Sequence, residues 1–504
     1  MSTRRLALVT AGLMLALFLA AVEVTIVGTA MPTIITQLGG LASYSWVFSA
    51  YMLASTTMTP IFGRLSDLYG RRRIFVIGMV FFLGGSALSG LSQSMFQLII
   101  FRTIQGVGAG ALLPLAFTII GDIYSIEQRT RMQGLFSGVW GLASIVGPLL
   151  GGFLVDQVSW RWVFYINIFP GLLTVAILWW ALIEPVQRRK RIRIDYAGAV
   201  WLAICILAFL LALLEGGQTF AWLSAPIIGL LALSLGSGVA FFWVERRATE
   251  PIIPLDLFRH RMFAVASAHG FLAGMALFGS TSFVPLFVQG VIGTSATEAG
   301  ATLTPQILGW VTASTFSAPF ILRLGYRPIT LTGMVIMTTG AVLLASQGIG
   351  ATLWSIGLSQ ILLGAGMGIS ITALLIAVQN GMTRERMGIA TSSLQFSRSI
   401  GGTVGVSVMG AVMTGRLISG LSTISGLAKN SPGQVSAQAL LHQAGQQALS
   451  PEMVLALRTV LFNAVNPVFL IALAGTVLAL VAAVFVPRGS VAELAENNWQ
   501  MADG

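Results

Sequence analysis

Charge is what this sequence has least of. Asp, Glu, Lys and Arg make up 9% of its 504 residues, where a soluble globular chain carries roughly 25%. So small a share excludes a water-facing surface over most of the molecule, and with it a division into about three soluble domains. Cysteine is absent but for Cys205, so no intrachain disulfide can form. With three histidines and no cluster of Cys and His, no zinc-ligand pattern is visible. The chain also lacks a Walker-type GK[ST] and a nucleophile elbow. Glycine-rich strings such as Gly364-Ala365-Gly366-Met367-Gly368 lie inside an apolar run with no strand before them, which removes a nucleotide-binding reading. No enzyme is expected, and no cofactor or metal.

What the chain has in excess is apolar surface. Hydrophobic residues form 56% of it, about 282 residues, enough for about fourteen spans of roughly 20 residues each. Runs long enough to cross a bilayer lie near 6–30, 44–62, 74–93, 96–118, 133–155, 161–183, 197–215 and 222–244. Six more lie near 262–288, 299–320, 328–348, 353–377, 388–412 and 459–486. The first run continues past Glu23 to Met31, too long for a signal-peptide core, so it reads as an uncleaved span. The formal net charge of +11 would suggest nucleic acid on a soluble chain, but here the basic residues punctuate apolar segments. With both termini cytoplasmic, 22 of the 28 Lys and Arg fall inside, four outside and two, Arg102 and Arg398, within spans. That asymmetry predicts an all-α polytopic membrane protein of fourteen transmembrane helices in the cell membrane.

The spans group as six, two and six. A basic linker, QRRKRIRID (187–195), follows the first six, and ERRATEPIIPLDLFRHR (245–261) follows the pair. This reads as a duplicated transporter core with an inserted hairpin. The expected parts are a bundle over 1–186, linker and hairpin over 187–261, a second bundle over 262–486 and a cytoplasmic tail over 487–504. The second bundle carries an external segment, 413–457, in which Ser450-Pro451-Glu452 has the look of a helix start.

Between spans two and three stands Gly63-Arg64-Leu65-Ser66-Asp67-Leu68-Tyr69-Gly70-Arg71-Arg72-Arg73. The glycines permit a sharp turn, and Asp67 can accept from Arg71 or Arg72 or sit against a helix N-terminus. Span four contains Leu98-Ile99-Ile100-Phe101-Arg102-Thr103-Ile104-Gln105-Gly106-Val107-Gly108. Span five contains Gly141-Leu142-Ala143-Ser144-Ile145-Val146-Gly147-Pro148-Leu149-Leu150-Gly151-Gly152, and span one ends Glu23-Val24-Thr25-Ile26-Val27 with Pro32 beyond.

On these motifs the chain closely resembles the major facilitator superfamily, and within it the fourteen-span drug:proton antiporters. The loop resembles the superfamily signature G-x-L-x-D-x-x-G-R-[RK], span four its embedded-arginine motif and span five its antiporter motif. SWRWVFYIN (159–167) and FSRSIGGTVGV (396–406) are also similar to that family. Two departures stand out. Glu23 replaces the more usual Asp, and the second-half counterpart of the loop, Arg323-Leu324-Gly325-Tyr326-Arg327, has no acid. The resemblance implies two six-helix bundles with an inserted hairpin, and efflux of amphipathic or cationic small molecules by alternating access, with protons as coupling ion. Export of one dedicated metabolite, antibiotic or lipid is the alternative, and a non-transporting receptor a distant one. Expected partners are a small-molecule substrate and lipid, with no nucleic acid, and the chain is expected to act as a monomer.

From the residues themselves, Glu23 is the leading site. A carboxylate in a span costs about 2.5–3.5 kcal/mol on insertion scales and marks function by default. Glu23 lies about 10 Å from the outer end of span one and Arg102 about 9 Å below the same face in span four, at 1.5 Å per residue. The two charges thus share a depth at which they can pair, or compete for a proton and a cationic substrate. Gln105, His269 and Arg398 are further candidates for a substrate cavity. Gly63, Asp67, Gly70, Arg71 and Arg72 form a candidate gating loop.

Overall fold

In the computed structural model of the chain, the described residues are 2–38, 44–183, 195–217, 219–249, 251–294, 296–383, 385–427 and 451–488. The basic linker up to residue 194, the middle of the external segment and the tail from 489 lie outside them. The described residues are almost wholly helical, and among them the only β pairing is an isolated bridge between Gly216 and Phe220.

The first helices are α1 (Thr3–Leu38), α2 (Tyr44–Tyr69), α3 (Arg71–Leu91), α4 (Met95–Ile123), α5 (Ile126–Gln157), the single turn α6 (Trp162–Tyr165) and α7 (Ile168–Ala181). The hairpin is α8 (Tyr196–Glu215) and α9 (Ala225–Glu245). Then follow α10 (Arg261–Phe287), the short α11 (Ala296–Ala301), α12 (Thr304–Leu324), α13 (Tyr326–Ala345), α14 (Leu353–Asn380), α15 (Met387–Leu427) and α16 (Pro451–Val484). Each of the fourteen apolar runs is mostly helix, with 161–183 and 299–320 each divided by a short break. Among the described residues, eleven stretches are long and apolar enough to cross a membrane. Hydroxyl side chains dilute the run on α2.

Three boundaries differ from the sequence expectation. The run 161–183 is not one helix, because the chain breaks at Ile166-Asn167 between α6 and α7. The segment 413–457 is not wholly a loop, since α15 continues to Leu427 and α16 begins at Pro451. The charged turn 63–73 is mostly helix: α2 runs through Tyr69, and the reversal into α3 is made at Gly70, whose φ of 94° suits glycine alone. Gly325, at φ 83°, joins α12 to α13 in the same way.

Backbone contacts divide the described chain into two units. One comprises the chain up to Ala264 together with Leu375–Phe396; the other comprises Val265–Leu374 and Ser397–Ser490. In the first, α4 packs on α2 and α3, α1 on α5 and α7, and the hairpin helices pair with α8 against α2. Its apolar interior includes Phe75, Phe82, Leu115 and Phe136, with a second cluster about Ile26, Trp160 and Phe164. In the second unit α13 packs on α12 and α16, around Phe287, Met334, Met337 and Phe469.

Exposure is inverted relative to a soluble protein. Trp354 is 89% exposed and Phe169 77%, whereas Glu23, Arg102, Gln105 and Asn167 are at most 1% exposed. Water would penalise such a surface; hydrocarbon accepts it and drives the polar groups inward to find partners.

Helices surrounded by lipid associate through close packing rather than a hydrophobic effect, and small residues permit it. A Cβ on Gly85 would fall onto the backbone of Gln105, so α3 lies directly on α4 there, while the neighbouring Gly84 has nothing within 4 Å. Gly85→Ala is therefore expected to cost about 1–3 kcal/mol by overpacking, and Gly84→Ala to be neutral or stabilising by up to about 1 kcal/mol. Thermal unfolding of the two detergent-solubilised variants checks this; equal midpoints would contradict the contact.

Candidate functional site

The polar interior of the first unit is organised around one acid. Arg102 and Gln105 are three residues apart and so share a face of α4. The α4 glycines bring that face close to α2, since a Cβ on Gly106 would meet the backbone of Tyr51. At this depth Arg102 Nη1 donates to Glu23 Oε1 of α1 and to Gln105 Oε1 at 2.7 Å, and Nε donates to the carbonyl of Val47 at 3.3 Å. The guanidinium also lies over the Tyr51 ring, 4.2 Å from its centroid. The second carboxylate oxygen of Glu23 accepts from Asn167 Nδ2 at 2.6 Å, and the same amide donates to Ser86 Oγ at 3.1 Å.

Asn167 reaches Glu23 because of the break in the sixth apolar run. It stands at the start of α7, but its side chain makes no capping hydrogen bond to that helix and is left to serve α1. Among the described residues, Gln105 Nε2 and Asn167 Oδ1 of this cluster are buried without a hydrogen-bond partner. Sequence reasoning missed Asn167, Tyr51 and Ser86. Asn167 left a trace, an amide at the end of SWRWVFYIN, whereas nothing marks Tyr51 or Ser86 out from packing residues.

A second polar centre lies where α2 ends. Asp67 accepts from Arg71 Nη1 and from the backbone amides of Gly388, at 2.9 Å, and Ile389, at 2.8 Å. Gly388 and Ile389 open α15, so Asp67 caps that helix from outside, satisfying amides that have no partner within it. The approach requires glycine on both sides: a Cβ on Gly63 would strike Ser392, and one on Gly388 would lie 2.5 Å from Asp67 Oδ1. Arg71 Nε also donates to Asp122 Oδ2 of α4 at 3.0 Å. Asp67 follows the apolar part of α2, and burial pushes its carboxyl up to about 6 against the pull of Arg71 and the two amides. Arg72 goes elsewhere in the same unit, donating to the carbonyls of Trp179, at 3.2 Å, and Leu182 at the end of α7, where cations are favoured.

The remaining candidates are distributed as follows. Gly147 and Gly151 of α5 receive the hydroxyls of Thr25 and Thr29 of α1, while Gly152 has nothing within 4 Å of a Cβ. Gly141 and Pro148 lie on the same helix. The motifs of spans one and five are thus two sides of one helix contact, directly following Glu23. In the second unit, His269 is buried with Nε2 3.0 Å from Met334 Sδ. Arg398, half-buried on α15, has its guanidinium 5.9 Å from the ring centroid of Trp310.

Comparison with known proteins agrees with this architecture. A family model described as Major Facilitator Superfamily matches residues 13–406. The multidrug transporter protein MdtP of Bacillus subtilis (strain 168) is 41% identical over 414 residues, 82% of this chain and 76% of that protein. Multidrug resistance protein 3 of the same organism is 39% identical over 96% of both chains. Among solved structures, the proton:xylose symporter XylE bound to 6-bromo-6-deoxy-D-glucose matches 99% of this chain and all of its own, with a TM-score of 0.63 at 15% identity. The human organic anion transporter MFSD10 (TETRAN) matches with a TM-score of 0.61 at 16% identity, over 94% of this chain and all of its own. At such identities the likeness is one of fold.

The Asn167 geometry makes a distinct prediction. Asn167→Ala removes the donor to Glu23 Oε2 and leaves a buried charged acceptor short of a partner, at a cost of about 1–3 kcal/mol. Thermal unfolding in detergent measures it, and in a Glu23→Gln background the loss is expected to shrink. An undiminished loss in that background would mean that Asn167 acts through packing alone.

Proposed function

The chain belongs to the major facilitator superfamily, and from that premise we propose that it is a proton-coupled antiporter that exports amphipathic or cationic small molecules. Relatives named as multidrug transporters, over most of this chain's length, support the efflux direction and a broad substrate range. In this reading the chain crosses the cytoplasmic membrane fourteen times with both termini inside, as the 22-to-4 bias of basic residues favours.

The observation that carries the proposal is the buried Glu23–Arg102 pair. An ionised carboxylate in a span is stable only while its charge is compensated, and arginine keeps its proton under all working conditions. Glu23 is therefore the group that changes state. Ionised, it holds Arg102 and accepts from Asn167. Once protonated it releases Arg102, which retains Gln105, the Val47 carbonyl and the Tyr51 ring as partners. The network thus survives the exchange, and the freed interactions become available to a substrate. Alternating access lets Glu23 take a proton from outside and lose it inside while substrate moves the opposite way. For each net charge moved, the membrane potential contributes about 2.3 kcal/mol per 100 mV.

Asp67 acts in this scheme as a latch for one access state. Its cap on α15 is charge-assisted while the carboxylate is ionised, and the contact must break if the helix start moves away.

Dye efflux from proteoliposomes under an imposed pH gradient tests the proposal. Glu23→Gln is expected to abolish gradient-driven efflux while leaving downhill substrate exchange; gradient-driven efflux that persists would remove Glu23 as the proton carrier. Asp67→Asn, measured in the same vesicles, is expected to lower turnover several-fold and spare substrate affinity, and a wild-type turnover would remove the latch.

A further inference from the structure

Arg71 and Arg102 are buried and Arg398 is half-buried, and the three do not share one situation. Arg102 is paired with Glu23, and Arg71 with Asp67 and Asp122. Among the described residues Arg398 has no hydrogen-bonding or ion-pairing partner, and its guanidinium stands over the indole of Trp310. The helices that meet it, α10 through Gly274 and α12 through Trp310, contain no Asp or Glu, and neither does α15 itself. Their other ionisable groups are Arg261, His269, Arg323 and Arg416, all of them basic.

Snorkelling does not resolve this. Arg398 lies 11 residues after the first residue of α15 and 29 before the last, about 17 Å along the helix from its nearer end, beyond the reach of the side chain. A full charge held in that position without a counter-ion is costly, and such groups mark ligand sites. The guanidinium presents a planar fork of donors suited to two oxygens of one oxyanion, and the neighbouring indole offers an apolar face for a ring.

We infer that Arg398 and Trp310 form a subsite for the carboxylate of an aromatic amphiphile, so that anionic and zwitterionic arene carboxylates are among the molecules exported. The inference rests on the efflux reading above and adds to it a substrate class that an acid-centred site would not select.

The test uses the full chain in phosphatidylcholine nanodiscs and three probes with one ring system: 9-anthracenecarboxylate, its neutral methyl ester and the cationic 9-(aminomethyl)anthracene. The wild type is expected to bind the carboxylate about tenfold or more tightly than the ester, the worth of one charge-assisted pair. Arg398→Gln is expected to erase that preference while the amine still binds, at least as tightly as to the wild type, which also reports that the variant is folded. An unchanged preference in the variant, or none in the wild type, overturns the inference. If the Gln variant does not fold, Arg398→Lys carries the test: it keeps the charge and loses the fork, so a reduced preference supports the subsite and an undiminished one overturns it. Adding phosphatidylglycerol separates the remaining source of oxyanion, since loss of the wild-type preference would assign the site to a lipid headgroup and not to cargo. Gradient-driven movement of the amine without carboxylate binding would sink this subsite alone. Carboxylate binding through Arg398 with no gradient-driven movement of any probe would instead sink the efflux reading.

Discussion

Holding a carboxylate in hydrocarbon is the constraint around which the first unit is arranged. Glu23 is fully buried, and each of its oxygens is met by a donor from a different helix, Arg102 of α4 and Asn167 at the head of α7. Those donors are held in turn by Gln105, the Val47 carbonyl, Ser86 and the Tyr51 ring. Breaking a buried pair by removing one partner typically costs about 3–5 kcal/mol, because the other charge is left uncompensated. Five helical elements therefore converge on one side chain. The same cost makes any change in its ionisation a structural event.

Close helix packing is what gives that event a path outward. The α1 residues directly after Glu23 present Thr25 and Thr29 to the glycines of α5, and the α4 residues after Arg102 present Gly106 and Gly108 to α2 and α3. With no Cβ between them, these backbones meet directly, and contacts of this kind shift as rigid bodies or not at all. At the far end of α2 the same device recurs. Gly63 and Gly388 let Asp67 reach the opening amides of α15, an anion set against the positive end of a helix.

The two units handle charge in opposite ways. The first compensates its embedded acid and base internally. The second keeps one arginine beside an aromatic ring and has no acid on the helices around it.

Much of this was legible in the residues. Hydrophobic runs, the sided distribution of arginines and the glycine-framed Asp67 determine helices, their number of apolar runs and the family resemblance, because transfer into lipid depends on composition over a span and not on what the span touches. Matching depths even brought Glu23 and Arg102 to one level, since rise per residue is constant in a helix. Rotation about the helix axis, and hence the partner each group finds, was decided only by the tertiary packing. That is why Asn167 came to Glu23 through a break inside an apparently continuous run, why Arg72 left Asp67 for the end of α7, and why Asp67 took its partners from residues 388 and 389, more than 300 positions away. A polar group in hydrocarbon must be satisfied by whatever the fold brings within 3 Å, and no local pattern in the chain encodes that neighbour.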